Sequence, residues 1–480
     1  MKTTRRQFLG EASCAAISSL PVMNMLLNLR MAGQVAAQSQ STDRRTLVCV
    51  LLSGGCDTFN LLVPRDARYS TYATSRGNLA LPLSGTGSLL PLNQQGGDGL
   101  LYGIHPSCGA LANLFNGIGG DTAKRRLAFL SNVGTLVQPT TKAQYAAESV
   151  PLPRALFSHS DQVDHWQTSV PQGMTQATGW AGRTADLLHA TANTGTAAMN
   201  ISFSGNNLWQ VGNNTQQFVV TDSGALTLAA AQSGQPATNP LTIKNNAHRS
   251  LIEQTYSNLM QQSYASLTKD SLDLQLYFQN VFNSTDVGSI SGLFPSNYIG
   301  STMLAVARTI AIRQQLGLTR QTILVNFGGW DMHGELLEAQ ADLLSLFVPA
   351  LSGFQLAMEQ LGLQDSVLTF TASDFGRTLR SNGRGTDHAW GGNQIVMGGP
   401  VQGGQVLGTF PDLTLDGPSD VGYGGRLLPT TSVDQLFAEM LRWFGVSGSN
   451  LSTVLPNIGN FYNTSSSSLP IGFLKPGTWS

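Results

Sequence analysis

The chain has 480 residues, of which only 11% are charged, with 27 lysines and arginines set against 28 aspartates and glutamates. A formal net charge of −1 offers no basic field of the kind that holds a phosphate backbone or an anionic lipid surface, so no nucleic-acid partner is expected. The length suits one elaborated domain or two average ones.

At the start, Arg5 and Arg6 stand ahead of Phe8, Leu9 and a mostly apolar stretch over residues 12–29, the layout of a twin-arginine export address. Val35 and Ala37 fit the small-residue positions of a signal peptidase site. Residues 1–37 are therefore expected to be a signal peptide and residues 38–480 a single mature domain. The expected route is the twin-arginine (Tat) translocase and the destination the periplasm or the exterior. Such an address is read by a receptor and is common for proteins that fold or load a cofactor before crossing. Too few apolar residues precede Cys14 for a lipoprotein. No later run of about 18 apolar residues stands out, so no stable membrane anchor is expected.

Residues 46–52 (Thr-Leu-Val-Cys-Val-Leu-Leu) form a continuous run of β-formers closed by Ser-Gly-Gly, the pattern of a strand buried on both faces of a parallel sheet. Similar runs at 127–133, 322–327, 367–371 and 395–397 alternate with helical patterns at 107–115, 160–168, 178–189, 250–267, 302–316 and 335–361. The alternation predicts an α/β fold, a mostly parallel central sheet with helices on both faces. Polar insertions are expected near residues 82–99 and within 198–245, the latter opening on an alternating stretch that suits a small antiparallel hairpin. After the export segment three cysteines remain. Cys56 and Cys108 could pair, leaving Cys49 a buried thiol.

Ligands of an open parallel sheet bind beyond the carboxyl ends of its strands. Metal-ligating residue types gather just there: Asp57 after the first run, Asp331 and His333 after the third, Asp374 after the fourth, and His388 before the last. Three carboxylates and two imidazoles make a mixed donor set for a divalent ion, whether zinc, manganese, magnesium or calcium. Taken singly, each has a plainer reading, since an aspartate after Gly-Gly is often a turn or cap residue.

The motifs Leu-Ser-Gly-Gly-Cys-Asp57, Ser158-His159-Ser160-Asp161-Gln162, Thr178-Gly179-Trp180-Ala181-Gly182-Arg183, Gly329-Trp330-Asp331-Met332-His333, Ser373-Asp374-Phe375-Gly376-Arg377-Thr378 and Thr386-Asp387-His388-Ala389-Trp390-Gly391-Gly392 run in order along the chain. Together they resemble the domain-of-unknown-function 1501 family of twin-arginine-exported proteins, a branch of the alkaline phosphatase and sulfatase superfamily. The resemblance implies an alkaline phosphatase-like fold and a two-metal hydrolytic site for small phosphate or sulfate esters. Asp57 and Asp374 would serve one ion, and Asp331, His333 and His388 the other. A nucleophile is implied at the start of the helix after the second strand, where Ser158 and Ser160 lie, although Ser160 is equally well read as the helix N-cap.

Two departures qualify the implied site. Phe375 stands where the superfamily has a histidine ligand, which makes His159 the candidate to replace that donor or to act as a general acid. The spacing of Asp331 and His333 is tighter than the usual pair, so both face one ion only if they sit on a loop. Arg377 and Arg183 are candidates to clamp the anionic group, with a loop tie as the other reading of Arg183. Trp166, Trp330 and Trp390 suit either a pocket mouth or core packing. A phosphoryl transferase or isomerase, and a non-catalytic envelope binding or assembly protein, are the other functions compatible with the scaffold. No Cys-x-Pro-x-Arg sequence is present, which disfavours a formylglycine mechanism.

Overall fold

The computed structural model describes residues 43–193, 197–225 and 236–479. The export segment and part of the second polar insertion lie outside the described residues. The strands in chain order are β1 (Arg45–Leu52), β2 (Leu62–Pro64), β3 (Leu90–Leu92), β4 (Tyr102–Ile104), β5 (Leu127–Gly134), β6 (Asn200–Ser202), β7 (Phe218–Thr221), β8 (Gly224–Ala225), β9 (Arg320–Phe327), β10 (Val367–Ser373), β11 (Gly392–Gly398), β12 (Val406–Leu407) and β13 (Thr431–Ser432). The longer helices are α1 (Tyr69–Arg76), α2 (Gly109–Asn116), α3 (His159–Thr168), α4 (Trp180–Ala192), α5 (Pro240–Ile252), α6 (Leu259–Ser284), α7 (Tyr298–Ala311), α8 (Leu336–Gln360) and α9 (Val433–Phe444).

Among the described residues, ten strands make one sheet in the order β12-β5-β11-β10-β1-β9-β6-β7-β8, with β13 beside β5. Strand β1 sits near its middle because its residues are apolar at both parities. Leu47, Cys49 and Leu51 enter one core, and Val48, Val50 and Leu52 enter the other. Helices α2, α7 and α8 cover the second face, while α3, α4 and α9 cover the first. The fold is thus the expected mixed α/β layering, with a mostly parallel sheet between helices. Strand β11 runs antiparallel to both β10 and β5.

Several local expectations are corrected. The small antiparallel sheet has the order β2-β4-β3 and lies between residues 62 and 104. Within the later insertion β7 and β8 form the expected antiparallel hairpin, while among the described residues β6 joins the main sheet parallel to β9. The helix read over 250–267 is two helices, broken where the Asn258 side chain accepts from Met260 N and Gln261 N to cap α6. Helix α9 escaped the periodicity reading although Ser432 and Gln435 form a capping box at its start. Cys49, Cys56 and Cys108 are all free and buried, so the pairing open to Cys56 and Cys108 is not made; both thiols pack as small apolar groups in one core. Helix α8 is, by length and composition, apolar enough to cross a membrane, a run the sequence reading passed over, and 61% of that window is buried inside the fold.

Candidate metal centre

Leu52 of β1 lies opposite Phe327 of β9 and Ser373 of β10, so the three strands end in register. Their following loops, carrying Asp57, Asp331 with His333, and Asp374, leave the sheet along one line. The amino end of an antiparallel strand faces the same way, which brings Asp387 and His388, just before β11, to that edge. Two glycines allow the loops to meet. A Cβ on Gly54, at φ 114°, would stand 2.6 Å from Asp331 N, and one on Gly385 would stand 2.3 Å from the His333 carbonyl carbon.

What gathers there is a set of imidazoles around a carboxylate. His159 Nε2, His388 Nε2 and Asp331 Oδ1 lie within 4.8 Å of one another. The separations are 3.1 Å between His159 and His388 and 3.5 Å from each to Asp331. His333 Nε2 adjoins the group at 3.0 Å from His388 Nε2 and 3.1 Å from Asp331 Oδ1. Metal–ligand bonds of about 2.0–2.1 Å in tetrahedral array set donor atoms about 3.3 Å apart, which these spacings bracket.

The other ring nitrogens fix the chemistry. His388 Nδ1 lies 2.8 Å from the Phe157 carbonyl oxygen, which can only accept, so Nδ1 carries the proton. His159 Nδ1 lies 2.6 Å from Asp374 Oδ2, and His333 Nδ1 lies 3.2 Å from Asp387 Oδ1. Where the rings are neutral, these contacts place the hydrogen on Nδ1 and turn the three Nε2 lone pairs toward one another and toward the Asp331 carboxylate. Three ring nitrogens and a carboxylate oxygen at this spacing are a donor set that could hold a metal ion. An imidazole that donates its second N–H to a carboxylate or carbonyl is also the usual habit of a metal ligand.

Electrostatics prepare the same donors. Burial, joined by the charge of Arg377, lowers the His388 imidazole against the opposing Phe157 contact and so favours its lone-pair form. At Asp331 burial works to raise the carboxyl, but the hydrogen bond and charge of Arg377, with the neighbouring imidazoles, outweigh it and keep the group below the ordinary range. Phe375 packs against both His159 and His388, with ring centroids 4.7 and 4.6 Å away. His159 arrives at this group from the first residue of α3.

The structure distributes the remaining candidates differently. Asp57 is 2% exposed, its carboxylate paired with the buried Arg76 guanidinium and accepting from Asn60 N at 3.2 Å; as a metal ligand it is corrected to half of an internal ion pair. Asp374 is buried too. It accepts from Gly54 N at 3.1 Å and from His159, which makes it the group that orients His159. Arg377 is buried and holds the carbonyls of Gly55 and Thr386, at 2.7 and 3.1 Å, besides pairing with Asp331. Arg183 holds the carbonyls of Val454 and Thr178 at 3.0 and 2.8 Å. Both arginines tie loops, so neither has a free face for an anion. Ser158, not Ser160, is the N-cap of α3, although its hydroxyl bonds to Asp161 and to Ser160 Oγ at 3.2 Å instead of a helix amide. Ser160 lies exposed in the first turn. Trp166, Trp330 and Trp390 are buried core residues.

Sequence reasoning missed three participants. Asp387 stood inside a quoted motif, directly before His388. The Phe157 carbonyl has no residue-type signal at all. Arg426, whose Nε donates to the His388 carbonyl at 2.9 Å, lies far along the chain in a glycine-rich loop.

Fold and site together define an α/β protein with a candidate metal centre at the carboxyl edge of its central sheet. The chain belongs to the family described as "Protein of unknown function (DUF1501)", matched over residues 101–454. No curated protein matches it. Among solved structures it is similar to the lipoteichoic acid synthase LtaP from Listeria monocytogenes, at 8% identity and a TM-score of 0.26, over 73% of this chain and 62% of that one. It is also similar to alkaline phosphatase PafA, at 11% identity and a TM-score of 0.26, over 71% of this chain and 64% of that one. The chain thus spans 62% and 64% of the lengths of these two proteins.

Proposed function

We propose that this protein is an exported, metal-dependent hydrolase of phosphate or sulfate esters, of the alkaline phosphatase and sulfatase superfamily, working with one divalent ion where the resemblance implied two. The observation that carries the reading is the convergence of three imidazole Nε2 atoms on the Asp331 carboxylate. His159, His388 and Asp331 would hold the ion, with His333 beside them, while Asp374, Asp387 and the Phe157 carbonyl orient the rings. A bound divalent ion supplies Lewis acidity toward an ester oxygen. The chain itself supplies Ser158, next to His159: the Ser158 hydroxyl would pass its proton to Asp161 as its oxygen attacks phosphorus or sulfur, the departing alkoxide would take that proton and leave as the alcohol, and a water molecule would then release the phosphate or sulfate from the serine. Export rests on Arg5 and Arg6, with the periplasm or the exterior as the destination.

One observation favours a second reading, an envelope binding or assembly protein that holds a structural ion: Arg377 and Arg183 both serve backbone carbonyls. Protein recovered from the periplasm is expected to carry a single equivalent of divalent metal and to hydrolyse a generic phosphomonoester, phosphodiester or sulfate ester, with turnover lost in His388→Ala. Metal without turnover on any of the three would support the binding role. Protein that takes up no metal would remove both readings.

A further inference from the structure

The loop Gly422-Tyr423-Gly424-Gly425-Arg426 belongs to no motif read from the sequence, yet it carries the most unusual backbone near the centre. Four successive residues lie in the left-handed region, with φ of 118° at Gly422, 58° at Tyr423, 79° at Gly424 and 97° at Gly425. Glycine adopts such angles freely. A tyrosine there is strained, and strain of this kind clusters at ligand clamps, where the surroundings hold it in place. The segment leading to His388 does the holding: Leu379 N and Arg380 N donate to the carbonyls of Gly425 and Gly424 at 3.3 and 2.8 Å. A Cβ on Gly425 would stand 2.6 Å from Leu379 Cβ.

This backbone brings Arg426 and Tyr423 against the centre. The Arg426 guanidinium lies 3.7 Å from the Phe157 ring centroid and 4.2 Å from that of Tyr423. Phe157 gives its carbonyl to His388 Nδ1, and Arg426 Nε donates to the His388 carbonyl, so the guanidinium is fixed to a candidate ligand from two directions. Among the described residues its other N–H groups have no partner, and the carboxylate acting on its charge, Asp387, makes no ion pair with it. Tyr423 is 83% exposed, more than any other large apolar side chain among the described residues. A solvent-facing ring held at such a strained φ contributes little to packing, and a guanidinium braced by rings with free N–H groups suits a tetrahedral oxyanion.

We propose that Arg426 and Tyr423 form the recognition subsite of the centre, Arg426 taking the phosphate or sulfate group of the ester and Tyr423 stacking on an aromatic or sugar ring in its alcohol half. The proposal rests on the hydrolytic reading above, and its test separates the two. In the full-length, metal-loaded protein, Arg426→Lys is expected to weaken binding of inorganic sulfate, followed by calorimetry, on the order of tenfold, because lysine keeps the charge but loses the fork. KM for an aryl phosphate or aryl sulfate should rise by a similar factor with kcat little changed. Tyr423→Gly relieves the strained φ, so its melting temperature should not fall, while KM for the aryl ester rises and sulfate affinity stays unchanged. Metal content should match the parent in both variants. Unchanged sulfate affinity in Arg426→Lys would overturn the subsite. So would Tyr423→Gly melting lower with KM unaltered, which would make the stack a purely structural device. Loss of all ester turnover in the parent would count against the hydrolytic reading instead, leaving the sulfate measurement to judge Arg426.

Discussion

Gly54-Gly55-Cys56-Asp57 and Gly328-Gly329-Trp330-Asp331 are the same local pattern, a glycine pair and then an aspartate two residues on, at the ends of the adjacent strands β1 and β9. Their carboxylates meet opposite surroundings. Asp57 is sealed from solvent against Arg76, the last residue of α1, whose guanidinium also bonds to the Thr378 carbonyl at 3.0 Å. Asp331 has an arginine as well, but its side chain keeps 47% of its surface and faces three imidazole Nε2 atoms. A strand-end aspartate is thus committed to structure when one cation arrives and closes the space. It is left for a ligand when its second oxygen-facing side is lined by donors instead of a charge.

The largest expected effect breaks the closed half. Arg76→Ala strands a buried carboxylate and should destabilise the fold by about 3–5 kcal/mol in chemical denaturation, without changing the metal content of the folded fraction. Replacing both partners, Asp57→Leu with Arg76→Met, should recover most of that loss, because a buried ion pair is often matched by apolar residues of similar volume.

The open half should respond to metal instead. At a free ion concentration about 100 times Kd, binding stabilises the native state by about 2.7 kcal/mol, so a chelator should lower the melting temperature of the parent and leave that of His388→Ala unmoved. Smaller again are Asp374→Asn and Asp387→Asn, which keep the donors but loosen His159 and His333. Each should weaken metal affinity about 10–100-fold in a competition titration.

A third carboxylate sharpens the contrast. Burial pushes Asp434 up to about 7, against hydrogen bonds from Ser169 and Ser432. With its folded value raised, the neutral form is favoured: its stability contribution is whole below the ordinary carboxylate range and declines as pH rises from about 4 to 7. Asp434→Asn should flatten that decline in a series of melts, gaining about 2–3 kcal/mol at pH 8 relative to pH 5.

The layering was legible because it is written in local runs: β1, β9 and β10 each show as continuous apolar segments, and the residues just past them identify the edge where His159, His333, His388, Asp331 and Asp374 now meet. What stayed hidden depends on partners distant in sequence. Nothing near Asp57 announces Arg76, 19 positions away on another element. Nothing in Asp374 says that its oxygen will face His159 Nδ1 from across the fold. A backbone carbonyl such as that of Phe157 has no sequence signature. The capping box before α9 was readable and overlooked, whereas the Arg426 loop looked like an ordinary glycine-rich turn.

Cobalt(II) titration of the metal-free protein, followed by visible absorption, tests the central claim most directly. A single equivalent should give the intense bands of a four- or five-coordinate nitrogen and oxygen site, and both His159→Ala and His388→Ala should abolish them while the protein stays folded. Bands that survive in the two variants, or their absence in the parent, would show that these lone pairs do not converge on a cation.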